Sequence, residues 1–228
     1  MAPENTLAAF RVGASHGYRA FECDVKLSAD GVPFLLHDDT LERTTPEHGD
    51  AGQRTWAQLS RIDAGRWHSP AFADEPLPGL ENIAAYVLQN NFMLNLEIKP
   101  TPGQELKTGQ VVGREVLRLW AGAEVPPLLS SFRPEALMGA RETAPDIPRA
   151  LLVDTLWPGW FEMAQQLGCV AVVSNYRVMN AATLAQLHDA GMHGLVYTVN
   201  DANTAAALQT INIDGIITDA VDLFSPAA

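Results

Sequence analysis

The chain has 228 residues and carries 15 Lys and Arg against 27 Asp and Glu, a formal charge of −12. That field disfavours nucleic acid and anionic membrane surfaces as partners, and no run approaches the roughly 18 apolar residues that a membrane span needs. Hydrophobic residues make up 47%, enough for a sizeable core, and the two distant cysteines, Cys23 and Cys169, exclude a disulfide framework.

In chain order, the opening Met1-Ala2-Pro3-Glu4-Asn5 has neither the basic start nor the apolar stretch of a signal peptide, so a cytoplasmic location is expected. The apolar run Ala20–Val25 is followed by Lys26-Leu27-Ser28-Ala29-Asp30-Gly31 and then by Val32–Leu36. A parallel crossover needs a dozen or more residues, and Asp-Gly is a hairpin turn dipeptide. The second run is therefore predicted to return antiparallel. Thr45 to Gly79 contains Pro46, Gly49, Gly52, Gly65, Pro70, Pro76 and Pro78 and reads as a long loop. Trp56, Leu59 and Ile62 suit one short amphipathic turn within it.

Beyond the loop, apolar runs at Met93–Ile98, Pro127–Ser131, Arg149–Val153, Cys169–Ser174, Gly194–Val199 and Asp214–Thr218 recur between helix-like segments. Those segments are Leu80–Asn90, Gln110–Ala121, Trp160–Leu167, Ala181–Ala190 and Ala202–Gln209. Leu184, Leu187 and His188 keep helical spacing, and Gly191 follows as a stop. Such alternation predicts an α/β fold, a parallel sheet with helices outside it, in one domain over residues 1–228. Without the hairpin strand the barrel count is seven, and a closed (β/α)8 TIM barrel needs eight. The first strand is expected to be missing ahead of the abrupt N-terminus.

Glu22 and Asp24 flank Cys23 in a strand, so they share one face. Two carboxylates beside apolar neighbours are costly unless a hard cation compensates them; the alternative is an edge strand with solvated acids. Glu97 and Lys99 repeat the pattern in Asn95-Leu96-Glu97-Ile98-Lys99-Pro100. If Glu97 enters the same cavity, three carboxylates hold one cation with Lys99 near an anionic oxygen; otherwise the two form a simple pair at a strand end. His37, in His37-Asp38-Asp39 at the end of the hairpin strand, suits general acid–base work near neutral pH, against a structural role. His16, His48, His68, His188 and His193 have no comparable setting.

The order of these motifs is more specific than any one of them. Ala2-Pro3-Glu4-Asn5-Thr6-Leu7-Ala8-Ala9-Phe10, Glu22-x-Asp24, Asp30-Gly31 and His37-Asp38-x-x-Leu41-x-Arg43-Thr44 resemble the glycerophosphodiester phosphodiesterase family. So do Asn95-Leu96-Glu97-Ile98-Lys99, Ser130-Ser131-Phe132, Tyr197-Thr198-Val199-Asn200 and Asp214-Gly215-Ile216-Ile217-Thr218-Asp219. The resemblance covers essentially the whole chain. It implies a TIM barrel of the phospholipase C-like phosphodiesterase type that hydrolyses glycerophosphodiesters to sn-glycerol 3-phosphate and an alcohol. The glycerol 2-hydroxyl would act as internal nucleophile, giving a cyclic phosphate that water then opens. The resemblance also implies one divalent cation, Mg²⁺ or Ca²⁺, on Glu22, Asp24 and Glu97, with His37 as one of two catalytic histidines. Lys99 would contact the phosphate, and Phe132 and Tyr197 would line the pocket mouth. Tyr197 stands where many members carry Trp.

One departure is larger. The family places His-Arg-Gly just before Pro-Glu-Asn-Thr, supplying the other histidine and a phosphate-binding arginine; here Met1-Ala2 precedes Pro3. A misassigned start codon, a shortened chain or a degenerate protein would each account for this, and the intact remaining motifs favour the first two. The chain alone is therefore expected to be nearly inactive and poorly stable. The runner-up functions are a catalytically silent phosphodiester-binding barrel and a lysophospholipase D-like activity, the latter disfavoured by the −12 charge.

Overall fold

Each early element is fixed by local chemistry. Thr6 caps helix α1 (Leu7–Ser15) by accepting from the Ala9 N–H. The Glu75 carboxylate accepts from the Ala8 N–H at 2.9 Å, which docks the long loop onto the positive end of the helix. The computed structural model, which describes residues 1–226, continues with strand β1 (Ala20–Leu27) and strand β2 (Pro33–Leu35). These two are antiparallel, with Val25 opposite Leu35, and Gly31 takes a positive φ of 81° in the connecting turn. The hairpin predicted from Asp30-Gly31 is present, and its second strand is shorter than the apolar run that announced it.

Residues 45–79 are largely irregular, as their turn formers predict, with the short helix α2 (Trp56–Leu59) inside. They are nevertheless well packed: Ala51, Leu59, Ile62, Ala64 and Leu77 bury a satellite core against Phe34, Leu36 and Leu41. Strand–helix alternation then runs through α3 (Leu80–Gln89), β3 (Met93–Ile98), α4 (Glu105–Leu119), β4 (Leu128–Ser131), α5 (Pro134–Thr143), β5 (Arg149–Val153), α6 (Trp160–Gln166), β6 (Ala171–Asn175), α7 (Ala181–Asp189), β7 (His193–Tyr197), α8 (Ala202–Thr210) and β8 (Gly215–Ile216).

The eight strands form one curled sheet in the order β2-β1-β3-β4-β5-β6-β7-β8. Every pairing except β1–β2 is parallel. This is the expected α/β barrel-like architecture with seven parallel strands, and among the described residues no ladder joins β8 to β1. The register sorts the side chains by face. Cys23, Val25, Leu96, Ile98, Leu129, Leu151, Val172 and Val196 point outward and bury against the helices. The opposite face carries Ala150, Leu152, Ala171 and Val173, with Leu128, Leu195, Tyr197 and Ile217 beside them. The parity of the ladder puts Glu22, Asp24, Asn95, Glu97 and Ser130 on that same inner face.

Two helices, α1 and α5, lie outside the segments singled out by periodicity, and α4 begins five residues before the Gln110 start expected for it. The α4–α5 pair explains both misses there. A Cβ on Gly109 would stand 1.9 Å from the Ala136 carbonyl oxygen, and one on Gly139 would stand 2.1 Å from that of Leu106. Backbone meets backbone at this crossing, so glycine occupies positions where periodicity looks for a large apolar residue. Cys23 and Cys169 are both free and buried.

Candidate active site

Glu22 and Asp24 project from β1 beside Asn95 and Glu97 of β3, because Glu22 pairs with Asn95 and Asp24 with Glu97 across the ladder. One carboxylate oxygen from each of Glu22, Asp24 and Glu97 lies within 4.8 Å of the other two. Asp24 and Glu97 are buried and Glu22 half-buried. Burial, followed by the neighbouring charge of Asp24, pushes the Glu22 carboxyl well up and the Glu97 carboxyl up to about 7. Three acids so close resist being charged together unless a cation joins them.

Lys99, one residue past β3, supplies part of that charge. Its ammonium is 3.0 Å from Glu97 Oε1 and 3.8 Å from Asp24 Oδ1. Burial pulls its pKa down, but Glu97 and Asp24 outweigh this and raise it. Glu97 Oε1 is buried, and the Lys99 ammonium is the group that meets it. Three carboxylates that each offer an oxygen within 4.8 Å of the others, two of them buried, are a set of hard donors that fits a small divalent cation such as Mg²⁺ or Ca²⁺.

His37, exposed at the end of the hairpin, reaches the same place: its Nε2 is 3.0 Å from Lys99 Nζ. Its other nitrogen, Nδ1, is 2.6 Å from Asp38 Oδ1. Arg43 holds Asp38 through Nε at 2.6 Å and Nη2 at 3.0 Å. The Arg43 hydrogen bonds, opposed by partial burial and joined by that from His37, hold the Asp38 carboxyl down at about 2. A carboxylate only accepts, so His37 carries its proton on Nδ1 and turns the Nε2 lone pair to Lys99.

Phe132 follows β4, with Lys99 Nζ 5.6 Å from its ring centroid. Tyr197 ends β7 and meets Phe132 edge-on at 5.7 Å, forming an aromatic wall beside the acids. The Tyr197 hydroxyl lies 3.5 Å from Asp154 Oδ1, and Asn175 Nδ2 donates to the same oxygen at 2.9 Å. Burial, then the Asp154 charge, raises the Tyr197 pKa and keeps the phenol protonated.

The seven residues put forward from the sequence thus come together. What sequence reasoning left without a role is the layer behind them. Asn5 makes a reciprocal pair with Asp24, donating from Nδ2 to Oδ2 at 2.7 Å and accepting the Asp24 N–H at 2.8 Å. Glu4 accepts both Arg43 Nη groups, at 2.8 and 2.7 Å. These residues stand inside the motif strings, but a short polar side chain gives no periodicity to read. No hydrogen bond or ion pair joins another histidine to this group among the described residues; His188 and His193 face Asp214 instead.

An acid-lined mouth on a parallel α/β sheet, with an adjacent lysine and histidine, defines a hydrolase of the phosphodiester-cleaving class. The family model for the glycerophosphoryl diester phosphodiesterases matches residues 1–223, and the chain belongs to that family. A phosphodiesterase from Oleispira antarctica, solved in complex with the product sn-glycerol-3-phosphate, superposes with a TM-score of 0.89 at 31% identity, covering 96% of this chain and 88% of that one. A Bacillus subtilis protein provisionally named a glycerophosphodiester phosphodiesterase is 30% identical over 97% of this chain and 90% of its own length. The glycerophosphodiester phosphodiesterase of Caldanaerobacter subterraneus is 27% identical over 95% and 88%.

Proposed function

We propose that the protein, as one catalytic domain, hydrolyses glycerophosphodiesters to sn-glycerol 3-phosphate and an alcohol with the help of one divalent cation. The observation that carries this reading is the convergence of Glu22, Asp24 and Glu97 beside Lys99 and His37 in a member of this family. Glu22, Asp24 and Glu97 would hold the Mg²⁺ or Ca²⁺. When bound, the ion neutralises charge developing on the phosphoryl group. Lys99 binds a phosphoryl oxygen. His37 takes a proton at Nε2 from the substrate hydroxyl and, once it holds that proton, can deliver it to a departing alcohol, while Asp38 holds its ring. Phe132 and Tyr197 pack the glycerol carbons and exclude water from that side. No helix among the described residues is long and apolar enough to cross a membrane, and we assign the activity to the cytoplasm.

A second reading has its own observation: among the described residues one histidine touches this site, where a two-step proton transfer uses two. On that reading the barrel binds phosphodiesters without turning them over. One experiment separates the two. Glycerophosphocholine is incubated with the protein and MgCl₂ or CaCl₂, and sn-glycerol 3-phosphate and choline are each quantified, with lysophosphatidylcholine assayed in parallel. The first reading expects equal release of both products, loss in excess EDTA, and a fall of about 10²–10⁴ for His37→Ala. Full activity in EDTA rejects the metal role. Calorimetric binding of the diester without turnover establishes the silent barrel, and preferred cleavage of lysophosphatidylcholine replaces the substrate assignment.

A further inference from the structure

Two separate pieces of chain carry the candidate chemistry: β1 with Asp24, and the segment after β2 with His37. Their backbones are joined, because β1 pairs with β2 and the Leu36 N–H donates to the Asp24 carbonyl at 3.1 Å; between the two side chains stands the Lys99 ammonium, 3.8 Å from Asp24 Oδ1 and 3.0 Å from His37 Nε2. A backbone ladder and one flexible side chain do not fix which way the Asp24 carboxylate and the His37 ring are turned. Behind the site, however, two consecutive residues reach both pieces.

Asn5 takes the Asp24 Oδ2 and the Asp24 N–H in a closed two-bond pair. This leaves Oδ1 of Asp24 turned to Lys99 and the acid cluster. Asn5 does so from a left-handed backbone, φ 54°, which asparagine tolerates better than most residues. The turn that sets this conformation is closed by Thr6, whose hydroxyl donates to the Pro3 carbonyl at 2.7 Å and whose oxygen caps α1. Glu4, one residue before, grips both Nη groups of Arg43. Arg43 then spends Nε, and Nη2 again, on Asp38, and Asp38 fixes His37 Nδ1.

We infer that Glu4 and Asn5 form a bracket, with Arg43 as its second arm, that fixes how the Asp24 carboxylate and the His37 imidazole are turned toward one another on strands the β1–β2 ladder already joins; this rests on the roles proposed above for Asp24 and His37. Glu4 and Arg43 are 40% and 45% exposed, and an exposed ion pair is worth little for stability. What two successive bidentate contacts supply is geometry, and that needs the planar guanidinium fork. Lysine keeps the charge and loses the fork. The bracket residues touch no reacting atom in this arrangement, so all three are positioning residues.

The two arms make separable predictions. Asn5→Gly suits the positive φ and deletes both contacts to Asp24. It is expected to weaken Mg²⁺ binding, measured by calorimetry with MgCl₂ alone, by about 10- to 100-fold, with the His37 tautomer unchanged. Arg43→Lys is expected to leave Mg²⁺ affinity unchanged. It should lower kcat by about 10- to 100-fold at constant KM and erode the Nδ1–H pattern of His37 in ¹⁵N spectra of histidine-labelled protein. Glu4→Gln should follow Arg43→Lys. Arg118→Met is the control, because Arg118 also bridges two carboxylates, Glu81 and Glu115, and touches none of the site. It should change none of the three readouts. Wild-type Mg²⁺ affinity in Asn5→Gly, or a wild-type tautomer and kcat in a folded Arg43→Lys protein, overturns the bracket. If Arg43→Lys fails to melt cooperatively, Glu4→Gln decides that arm. If the wild-type protein itself gives no calorimetric signal with MgCl₂, the metal reading fails, and the His37 spectra alone decide the bracket.

Discussion

Lys99 illustrates how much of the site one side chain sets. Its ammonium stands among Glu97, Asp24 and His37 Nε2, so it offsets two acids and would meet a phosphoryl oxygen. Those two tasks pull in opposite directions. Lys99→Met should bind Mg²⁺ more tightly than wild type, because a competing positive charge is gone. It should turn over about 10²–10³-fold more slowly, the usual cost of deleting one donor to a developing anion. Calorimetry and product release on the same preparation check the pair, and weaker metal binding would contradict the electrostatic account. The residue types were legible in the sequence for a simple reason. Strand alternation by itself puts Glu22 with Asp24, and Glu97 with Lys99, on a common face. Asp154 was not legible. It lies past the end of β5 in an irregular segment, and only folding brings it to the Tyr197 hydroxyl.

Between elements, the α4–α5 crossing and the long loop show why backbone contacts escape a reading based on hydrophobic spacing. Gly109 opposes a carbonyl oxygen at 1.9 Å that cannot move aside, whereas a Cβ on Gly113 would meet the Thr143 hydroxyl at 2.4 Å and the Ala140 carbonyl oxygen only at 3.1 Å, so turning Thr143 away from its Gln110 bond relieves the worse contact. Gly109→Ala should therefore destabilise by about 1–3 kcal/mol through overpacking, although alanine adds about 1 kcal/mol of helix propensity. Gly113→Ala should cost less than Gly109→Ala, and equal urea midpoints for the two variants would contradict this. In the loop, Asp63 accepts from the Gly65, Arg66 and Asp74 N–H groups and from the Arg66 side chain. Partial burial pushes its carboxyl up, but those donors outweigh burial and bring it down to about 2, below the ordinary 3.8. A depressed carboxylate stabilises the fold fully above the unfolded value and loses that contribution as pH falls through the folded one. The melting temperatures of wild type and Asp63→Ala should thus differ most at pH 5–7 and draw together toward pH 2. The Asp30-Gly31 turn was readable because hairpin chemistry is local; the Asp63 knot, spanning residues 63–74, was not.

At the scale of the whole molecule, alternation of strands and helices was legible, and so was the count of seven parallel strands once the hairpin had been set aside. The length of β8 was not: its regular ladder with β7 is Gly215 and Ile216, with single backbone bonds from the Asp214 and Ile217 N–H groups on either side, where the sequence offers Asp214–Thr218. Propensity marks that run as apolar and β-branched, but a strand extends only as far as its neighbours pair with it. The sheet is accordingly an arc with two ends, and an arc opens from its ends. The β1 end is braced by β2 and by Asn5, while the β8 end has a two-residue ladder and half-buried side chains. Local opening should begin at β8 and spread to β7. Amide hydrogen exchange should report this order, with Ile217 exchanging well before Leu96, Leu129 and Val172 in the middle of the sheet. The acids stand on β1 and β3, whereas Tyr197 ends β7. On the roles proposed above, gentle warming should therefore loosen the aromatic wall and raise KM while the acid cluster still holds a cation, so that substrate grip and metal grip fail at different temperatures in the same molecule.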